Sequence, residues 1–525
     1  MTDDNKIDNK RSKLKSFVRN LDMGEVIWLD GYITSVIDNY NQDQIGSDNK
    51  ENNKLVKNTD HNTADSAKAN SANQASTLKQ SVTVFYATET GNAKQIAKQV
   101  AGHFKANNFN AKIQDVELYK TAKLAKEEKT IFIVSTQGEG EFPESAQEFY
   151  QFLNTDKPDL AKLQYAVIAL GDSSYPLFCQ AGKDLDSKLS ELGAKALIDR
   201  IDFDVDYDED LSNWLGDSIS YFRGAEGGTE DIVKTKVANV SNISSKTIFE
   251  GEITSNVNLN DTGSEVEIRH IEITYDDHEE IPYQPGDSVS ITLDEHDSLV
   301  QEIKPVSGKI TPRLYSISSS PELHQGEIHL TVRVVRYKNE NGVEQKGLCS
   351  NYLARLKTGT KIKFSIKPNL SFRLPAADKD IILVGPGTGI APFRSFISQR
   401  SANGDTGKNW LFFGAQKFLS DFLYQAEIQE FVEQGILNKV SLAFSRDQEE
   451  KIYVQHRMRE EAQELFKWLT EGAYFYVCGD KNNMAKDVEE ELLNIIATQG
   501  NLDKEQSKEY LMKLKEEERY LRDVY

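Results

Sequence analysis

Two rhythms divide this 525-residue chain, and together they limit what it can fold into. In the first block, apolar runs at 82–87, 130–135 and 164–170 alternate with helical patterns at 93–107, 144–154 and 178–192. That strand–helix alternation predicts a doubly wound parallel sheet, whose chemistry belongs at the carboxyl ends of its strands. The alternation returns from residue 379, with strands expected at 381–384, 410–413, 438–444 and 474–478. Between the two blocks lie β-branched runs such as Ser264–Tyr275 and Ile328–Tyr337, with turn signals such as Gln284-Pro285-Gly286-Asp287. These predict an antiparallel β-barrel. The expected class is α/β plus β, two doubly wound sheets flanking a barrel.

Expected boundaries follow from composition. Residues 1–45 carry apolar positions from Met23 to Tyr40 at helical spacing. Such a helix either docks or oligomerises the chain, or packs on its own domain. Residues 46–80 are polar enough to be a disordered linker, and 224–245 read as a second linker. The first sheet then occupies 81–223, the barrel 246–375 and the second sheet 376–525. A net charge of −21 argues against nucleic acid and anionic membranes as partners, and suits docking onto a basic protein surface. No apolar run reaches the length of a membrane span, and the polar N-terminus lacks a signal-peptide core. Cys179, Cys349 and Cys478 are far apart and show no metal-ligand spacing, so no metal site is expected and the compartment reads as the reducing cytoplasm.

Three loops carry the chemistry. The first, Thr88-Glu89-Thr90-Gly91-Asn92-Ala93, joins a strand to a helix and offers hydroxyls and backbone N–H groups to a monophosphate. It has no Lys, which separates it from nucleoside-triphosphate loops. Ser135-Thr136-Gln137-Gly138-Glu139-Gly140 and Leu170-Gly171-Asp172-Ser173-Ser174-Tyr175 stand at neighbouring strand ends, placed to wrap a planar ring with Tyr175 as the stacking face. The second loop is Arg313-Leu314-Tyr315-Ser316. Arg and Tyr two residues apart share a strand face, so one neutralises a pyrophosphate while the other stacks on an isoalloxazine ring. Ser316 is placed to hydrogen-bond that ring's reactive nitrogen, and Gly347-Leu348-Cys349-Ser350 opens a helix that offers the pyrophosphate a second anion site. The third loop, Gly385-Pro386-Gly387-Thr388-Gly389, lets a dinucleotide pyrophosphate approach closely. Ser445, Arg446 and the run Lys451, Ile452, Tyr453, Val454 and Gln455 beyond the next strand suit a 2′-phosphate, which favours NADPH over NADH.

The segment from Thr88 through the run Gly171–Asp184, with Phe178 and Cys179 in it, resembles the FMN domain of the sulfite reductase flavoproteins, a branch of the diflavin reductases. The Ser135–Gly140 loop and the ending Arg522-Asp523-Val524-Tyr525 resemble the same branch. The Arg313 and Gly347 motifs resemble FAD-binding motifs of ferredoxin-reductase-like proteins, with Thr331, Val332, Arg333 and Tyr337 in matching positions. The resemblance implies a flavodoxin-like first sheet, an FAD-binding barrel and a ferredoxin-reductase-like NADP-binding second sheet. It implies FMN, FAD and NADPH as cofactors, and a separate haemoprotein partner carrying sirohaem and an iron–sulfur cluster. It places Ser316, Cys478 and Asp523 around the transferring hydride and Asp487 near the adenosine end. Tyr525 becomes a cover over the flavin ring that moves aside for nicotinamide. A different haem partner, or a free acceptor such as a quinone, stays open as the alternative.

Two features stand apart. The acidic run Asp202, Asp204, Asp206, Asp208, Glu209 and Asp210 is either a solvated rim or a docking patch for a basic acceptor. Only 26 residues separate Gly286 from Arg313, where the resemblance implies an inserted helical domain. So short a segment closes a barrel loop but builds no domain of its own.

Overall fold

A computed structural model describes residues 80–138, 140–173, 175–205, 207–224, 247–275, 281–303, 310–338, 342 and 344–525. The expected N-terminal helix, both linkers apart from their end residues Gln80 and Gly224, and Glu139, Ser174 and Asp206 lie outside the described residues. Residues 78–423 and 432–525 belong to one compact unit, which holds everything discussed below.

The first sheet comprises β1 (Ser81–Ala87), β2 (Asn110–Asp115), β3 (Lys129–Ser135), β4 (Gln164–Leu170), β5 (Lys195–Ala196) and β6 (Ile201–Phe203). The path runs β2-β1-β3-β4-β5 with β6 beside β4, and every pairing is parallel. In β1, Val82, Val84 and Tyr86 enter one core and Phe85 and Ala87 the other, so successive residues are buried on opposite faces. That is why the strand reads as a continuous apolar run. Helices α1 (Asn92–Ala106) and α4 (Asp208–Arg223) cover one face; α2 (Glu144–Thr155) and α3 (Gln180–Glu191) cover the other. Strand order reverses between β1 and β3, where such sheets open a crevice at their carboxyl ends.

The barrel follows: β7 (Phe249–Asn258), β8 (Ile268–Thr274), β9 (Ser288–Ile291), β10 (Arg313–Ser316), β11 (Glu327–Arg333), the hairpin β12 (Arg336–Lys338) and β13 (Glu344–Lys346), and β14 (Lys361–Lys367). Ile253, Ile271, Ile273, Val289, Ile328, Leu330 and Val332 alternate inward and fill it. The order β10-β9-β14-β7-β8-β11 closes on itself, since Ile317 bridges Leu330 and the Ser318 N–H donates to His329 O at 2.8 Å. Strands β9 and β10 pair directly, antiparallel from Arg313 opposite Ile291 to Ser316 opposite Ser288. Their connection, residues 292–312, contributes one short helix, α5 (Ser298–Ile303), among the described residues. A further helix, α6 (Leu348–Arg355), follows the hairpin.

The second parallel sheet has the order β17-β16-β15-β18-β19, with β15 (Ile381–Val384), β16 (Asn409–Ala415), β17 (Lys439–Phe444), β18 (Tyr474–Gly479) and β19 (Tyr520–Val524). Its switch point lies between β15 and β18, so the turn after β15, leading into α7 (Ile390–Asn403), faces the end of β18. The C-terminal residues are no frayed tail: Cys478 pairs with Asp523 and Gly479 with Val524 in register. No helix among the described residues is long and apolar enough to cross a membrane.

Candidate functional site: one cavity shared by three loops

The first loop is shaped by its own short-range bonds. Thr88 Oγ1 accepts the Gly91 N–H at 2.9 Å, and Asn92 Nδ2 donates to Thr90 Oγ1 at 3.3 Å. Gly91 has φ +88°, a left-handed conformation that suits glycine. Ala93 is buried beneath the loop, and burial pushes the Glu89 carboxyl above its ordinary range. The neighbouring loop turns tightly, with Gln137 and Glu141 exchanging backbone bonds of 2.9 and 2.8 Å around Gly138 and Gly140. In the next loop, Ser173 donates to Asp204 through its N–H at 3.0 Å and its hydroxyl at 2.7 Å, and Tyr175 Oη donates to Pro312 O at 3.1 Å. Cys179 is fully buried, its thiol pushed up to about 12 chiefly by that burial. The acidic run is largely taken up locally: Asp202 pairs with Arg200, Asp204 holds Ser173, and Asp208, Glu209 and Asp210 sit in the first turn of α4. Acids in that position favour the helix dipole.

On the barrel, Arg313 donates to Thr311 Oγ1 at 2.8 Å, and Arg313, Leu314, Tyr315 and Ser316 all reach the cavity wall. Thr331, Arg333 and Tyr337 join them, whereas Val332 points into the barrel core and is absent from the wall. Gly347, Leu348, Cys349 and Ser350 line the same wall at the start of α6, where Ser350 Oγ accepts the Val335 N–H at 3.1 Å. The Cys349 thiol is pushed up to about 11 by burial.

On the second sheet, Gly387 and Thr388 form one tight turn on the wall, and Thr388 Oγ1 and Tyr525 Oη lie 2.9 Å apart. Ser445, Tyr453, Val454, Gln455 and Asp487 line the cavity, and Gln455 donates to Asp487 at 3.0 Å. Arg446 instead pairs with Glu265 at 2.5 Å, and neither it nor Lys451 nor Ile452 reaches the wall. Cys478 is sealed behind the wall, fully buried. Its Sγ lies 3.9 Å from Asp523 Oδ2, the atom that accepts the Ser316 hydroxyl at 2.8 Å. Burial raises the Asp523 carboxyl above its ordinary value, and the Ser316 and Cys478 contacts oppose that shift. A barrel strand, a sheet strand and the C-terminal strand thus converge on one carboxylate.

The three loops open on one continuous cavity of about 1960 Å³. A pocket for one drug-sized ligand measures roughly 300–1,000 Å³, so this space accommodates more than one nucleotide. Thr90, Asn92, Thr136, Gly138, Asp172, Tyr175 and Phe178 form its first-sheet wall.

Comparisons with known proteins divide the chain in the same way. The family model for flavodoxin matches residues 84–214, that for the FAD binding domain matches 303–352, and that for the oxidoreductase NAD-binding domain matches 383–490. The sulfite reductase [NADPH] flavoprotein alpha-component of Vibrio cholerae serotype O1 is 36% identical, over 86% of this chain and 88% of that protein. The Bacillus subtilis protein of the same name is 35% identical over 86% and 90%, and the Escherichia coli O157:H7 one is 37% identical over 85% and 90%. The chain belongs to this flavoprotein family.

Membership makes it an NADPH-dependent flavoprotein oxidoreductase with FMN, FAD and NADPH as cofactors. The donor set fits them: a hydroxyl- and amide-lined helix start on the first sheet, an Arg–Tyr pair on the barrel, and a glycine turn on the second sheet. The alignment with the V. cholerae protein spans 545 positions but only 86% of 525 residues here, about 450, leaving roughly 95 positions without a counterpart in this chain.

Several wall residues carry no motif. Pro312, Asn369, Lys481 and Met484 line the cavity, and Lys481 Nζ donates to Gln137 Oε1 at 2.8 Å across the two sheets. A turn-forming Pro368-Asn369 pair was the one signal available for Asn369. Outside the cavity, ligand atoms of His270, Glu272 and His329 gather within 4.8 Å. Arg394 stands 3.0 Å from His329 Nδ1, which must accept, so Nε2 carries the proton it shares with Glu327 at 2.9 Å. Such a ring has no lone pair left for a metal.

Proposed function

We propose that this chain is the flavoprotein component of an assimilatory sulfite reductase, passing electrons from NADPH to a separate haemoprotein. The observation that carries the reading is the meeting of Ser316 and Asp523 on the wall of the cavity that the first-sheet loops also line, with Cys478 sealed directly behind them. When bound, NADPH supplies a hydride, FAD accepts the pair, and FMN passes electrons on singly.

The residues have distinct tasks in this scheme. Thr88, Thr90, Gly91 and Asn92 hold the FMN phosphate at a helix start, and Tyr175 and Phe178 flank its ring. Arg313 neutralises the FAD pyrophosphate and Tyr315 stacks on its ring. Gly387 and Thr388 receive the nicotinamide dinucleotide, with Ser445 and Tyr453 toward its 2′-phosphate; Arg446 joins them on leaving Glu265. The Asp523 carboxylate stabilises positive charge as the hydride departs, an electrostatic role. Ser316 and Cys478 fix one of its oxygens. Tyr525, tied to Thr388, covers the ring and swings aside for the nicotinamide.

The acceptor proposed is a haemoprotein subunit bearing sirohaem and an iron–sulfur cluster; the relatives' names say only that each is the flavoprotein alpha-component of a sulfite reductase. The N-terminal segment 1–45 is proposed as the self-assembly peptide, and deleting it should lower the measured mass of the particle. Purified protein should hold one FMN and one FAD, bleach with NADPH, and yield sulfide when mixed with a sulfite reductase haemoprotein and sulfite. Bleaching without sulfide would point to another haem protein or a quinone as acceptor. No bleaching would end the oxidoreductase reading.

A further inference from the structure

The loop after β14, residues 367–373, touches every wall of the cavity, yet none of its residues belongs to a nucleotide motif. Its base is anchored. Phe372 is fully buried against Phe393, Phe396 and Tyr476, and Tyr476 Oη donates to Arg373 O at 2.7 Å. Arg373 pairs with Asp287 at 2.5 Å. Gly286 has φ +96°, and a Cβ there would fall 2.0 Å from Phe372 O, so the β9 turn and this loop meet backbone to backbone.

The tip reaches the first sheet. Leu370 and Ser371 donate their N–H groups to Thr90 O at 2.7 and 3.3 Å, and Lys367 Nζ meets Asp172 Oδ2 at 3.1 Å. Both acceptors belong to the phosphate and ring loops of that sheet. Asn369, next in line, faces the other way. Its N–H donates to Asp287 Oδ1 at 2.9 Å, and its Nδ2 lies 3.5 Å from Asp523 Oδ1. Ser316 and Cys478 both address the other oxygen, Oδ2. A carboxylate held through one oxygen still rotates about its Cβ–Cγ bond; a donor on the second oxygen fixes its plane.

Resting on the function proposed above, we infer that residues 367–373 are a positioning element. Asn369 orients the Asp523 carboxylate, while Lys367 and Leu370 dock the FMN loops against the barrel. One loop thereby reaches both the first sheet and the hydride site, whereas the short 292–312 connection meets the first sheet through Pro312 O and Tyr175 Oη. The docked FMN sheet and the hydride-site acid are linked through adjacent residues of a single anchored segment.

The test uses the full chain loaded with both flavins and mixed anaerobically with NADPH, following bleaching of the first and then the second flavin. Asn369→Ala should slow the first phase about ten-fold, since small misplacements of an aligned group are costly. It should also move the acid limb of that phase to higher pH, because the carboxylate loses a donor that favours its ionised form. Leu370→Pro, which removes the N–H that Thr90 O accepts, should slow the second phase about ten-fold relative to the first. Lys367→Met tests the same docking contact should the proline variant fail to fold. The inference falls if the Asn369→Ala pH profile overlays that of the unaltered protein. It falls equally if the docking variants leave the second phase unchanged. If NADPH bleaches no flavin in the unaltered protein, the proposed function fails instead.

Discussion

The two parallel sheets present their sites in opposite ways. On the first, the cradle is local: Thr88 bonds Gly91 three residues on, and Asn92 bonds Thr90 two residues back. On the second, the decisive group is assembled from afar. Ser316 and Asp523 are 207 residues apart, and Cys478 stands 45 residues from Asp523. A local grip tolerates motion of the whole sheet, because it travels with its ligand. A convergent one works only while barrel, sheet and C-terminal strand keep their places. The difference predicts where single substitutions do most harm.

Asp523→Asn should do the most. It keeps the shape and removes the charge, so the NADPH-driven bleaching of the first flavin should slow by about 10²–10³-fold, the scale for losing a preorganised charge. Flavin content should not change. A loss under about three-fold would mean that the convergence is structural only. The same carboxylate sets a pH dependence. Burial raises its pKa, and in the role proposed for it the ionised form is the active one. The first-phase rate should therefore fall as pH drops through a value above the ordinary Asp pKa of about 3.9. A rate flat down to about pH 4 would contradict this.

Gly91→Ala probes the local grip and should have a smaller, narrower effect. The left-handed φ costs a non-glycine residue about 1–2 kcal/mol, and the new Cβ would lie 2.7 Å from Ser371 Oγ and 3.0 Å from Leu370 Cβ. FMN affinity should drop roughly ten-fold while FAD stays bound and NADPH still bleaches it. Equal loss of both flavins would show that the two grips are not separable.

The same contrast explains what the sequence revealed. The Thr88–Ala93 loop was legible because its chemistry lies within six adjacent residues between a strand and a helix. Strands β1, β3, β4 and β15 were legible because both their faces are buried, which leaves an unbroken apolar run. Strands β2 and β6 were missed: β2 is mostly exposed or half-buried and β6 has three residues, so neither carries such a run. Strand β19 was missed because Leu521, Arg522 and Asp523 are only partly buried. The grouping of Ser316, Cys478 and Asp523 came from family resemblance, since no local spacing encodes it. Asn369 had only the turn signal of its Pro368-Asn369 pair, which says nothing of its partner. Its role depends on which loop the closed barrel brings against Asp523, and that is a tertiary fact.

The smallest effect expected comes from the ion pairs that join the first sheet to the second. Lys94 meets Glu518 at 2.5 Å and Lys515 meets Glu117 at 2.7 Å. Glu518 is 61% exposed, so solvent screens the first pair, and such pairs contribute about 0–1 kcal/mol. Lys94→Ala should slow electron passage to the second flavin by less than about three-fold, and 0.5 M salt should do little more. The Leu370–Thr90 backbone contact is insensitive to salt, so a docked arrangement held chiefly by it survives when the charges are screened. If salt alone abolishes the second phase, docking is electrostatic, the loop's own Lys367–Asp172 pair included, and the two sheets are coupled through charge rather than through the Leu370–Thr90 backbone contact.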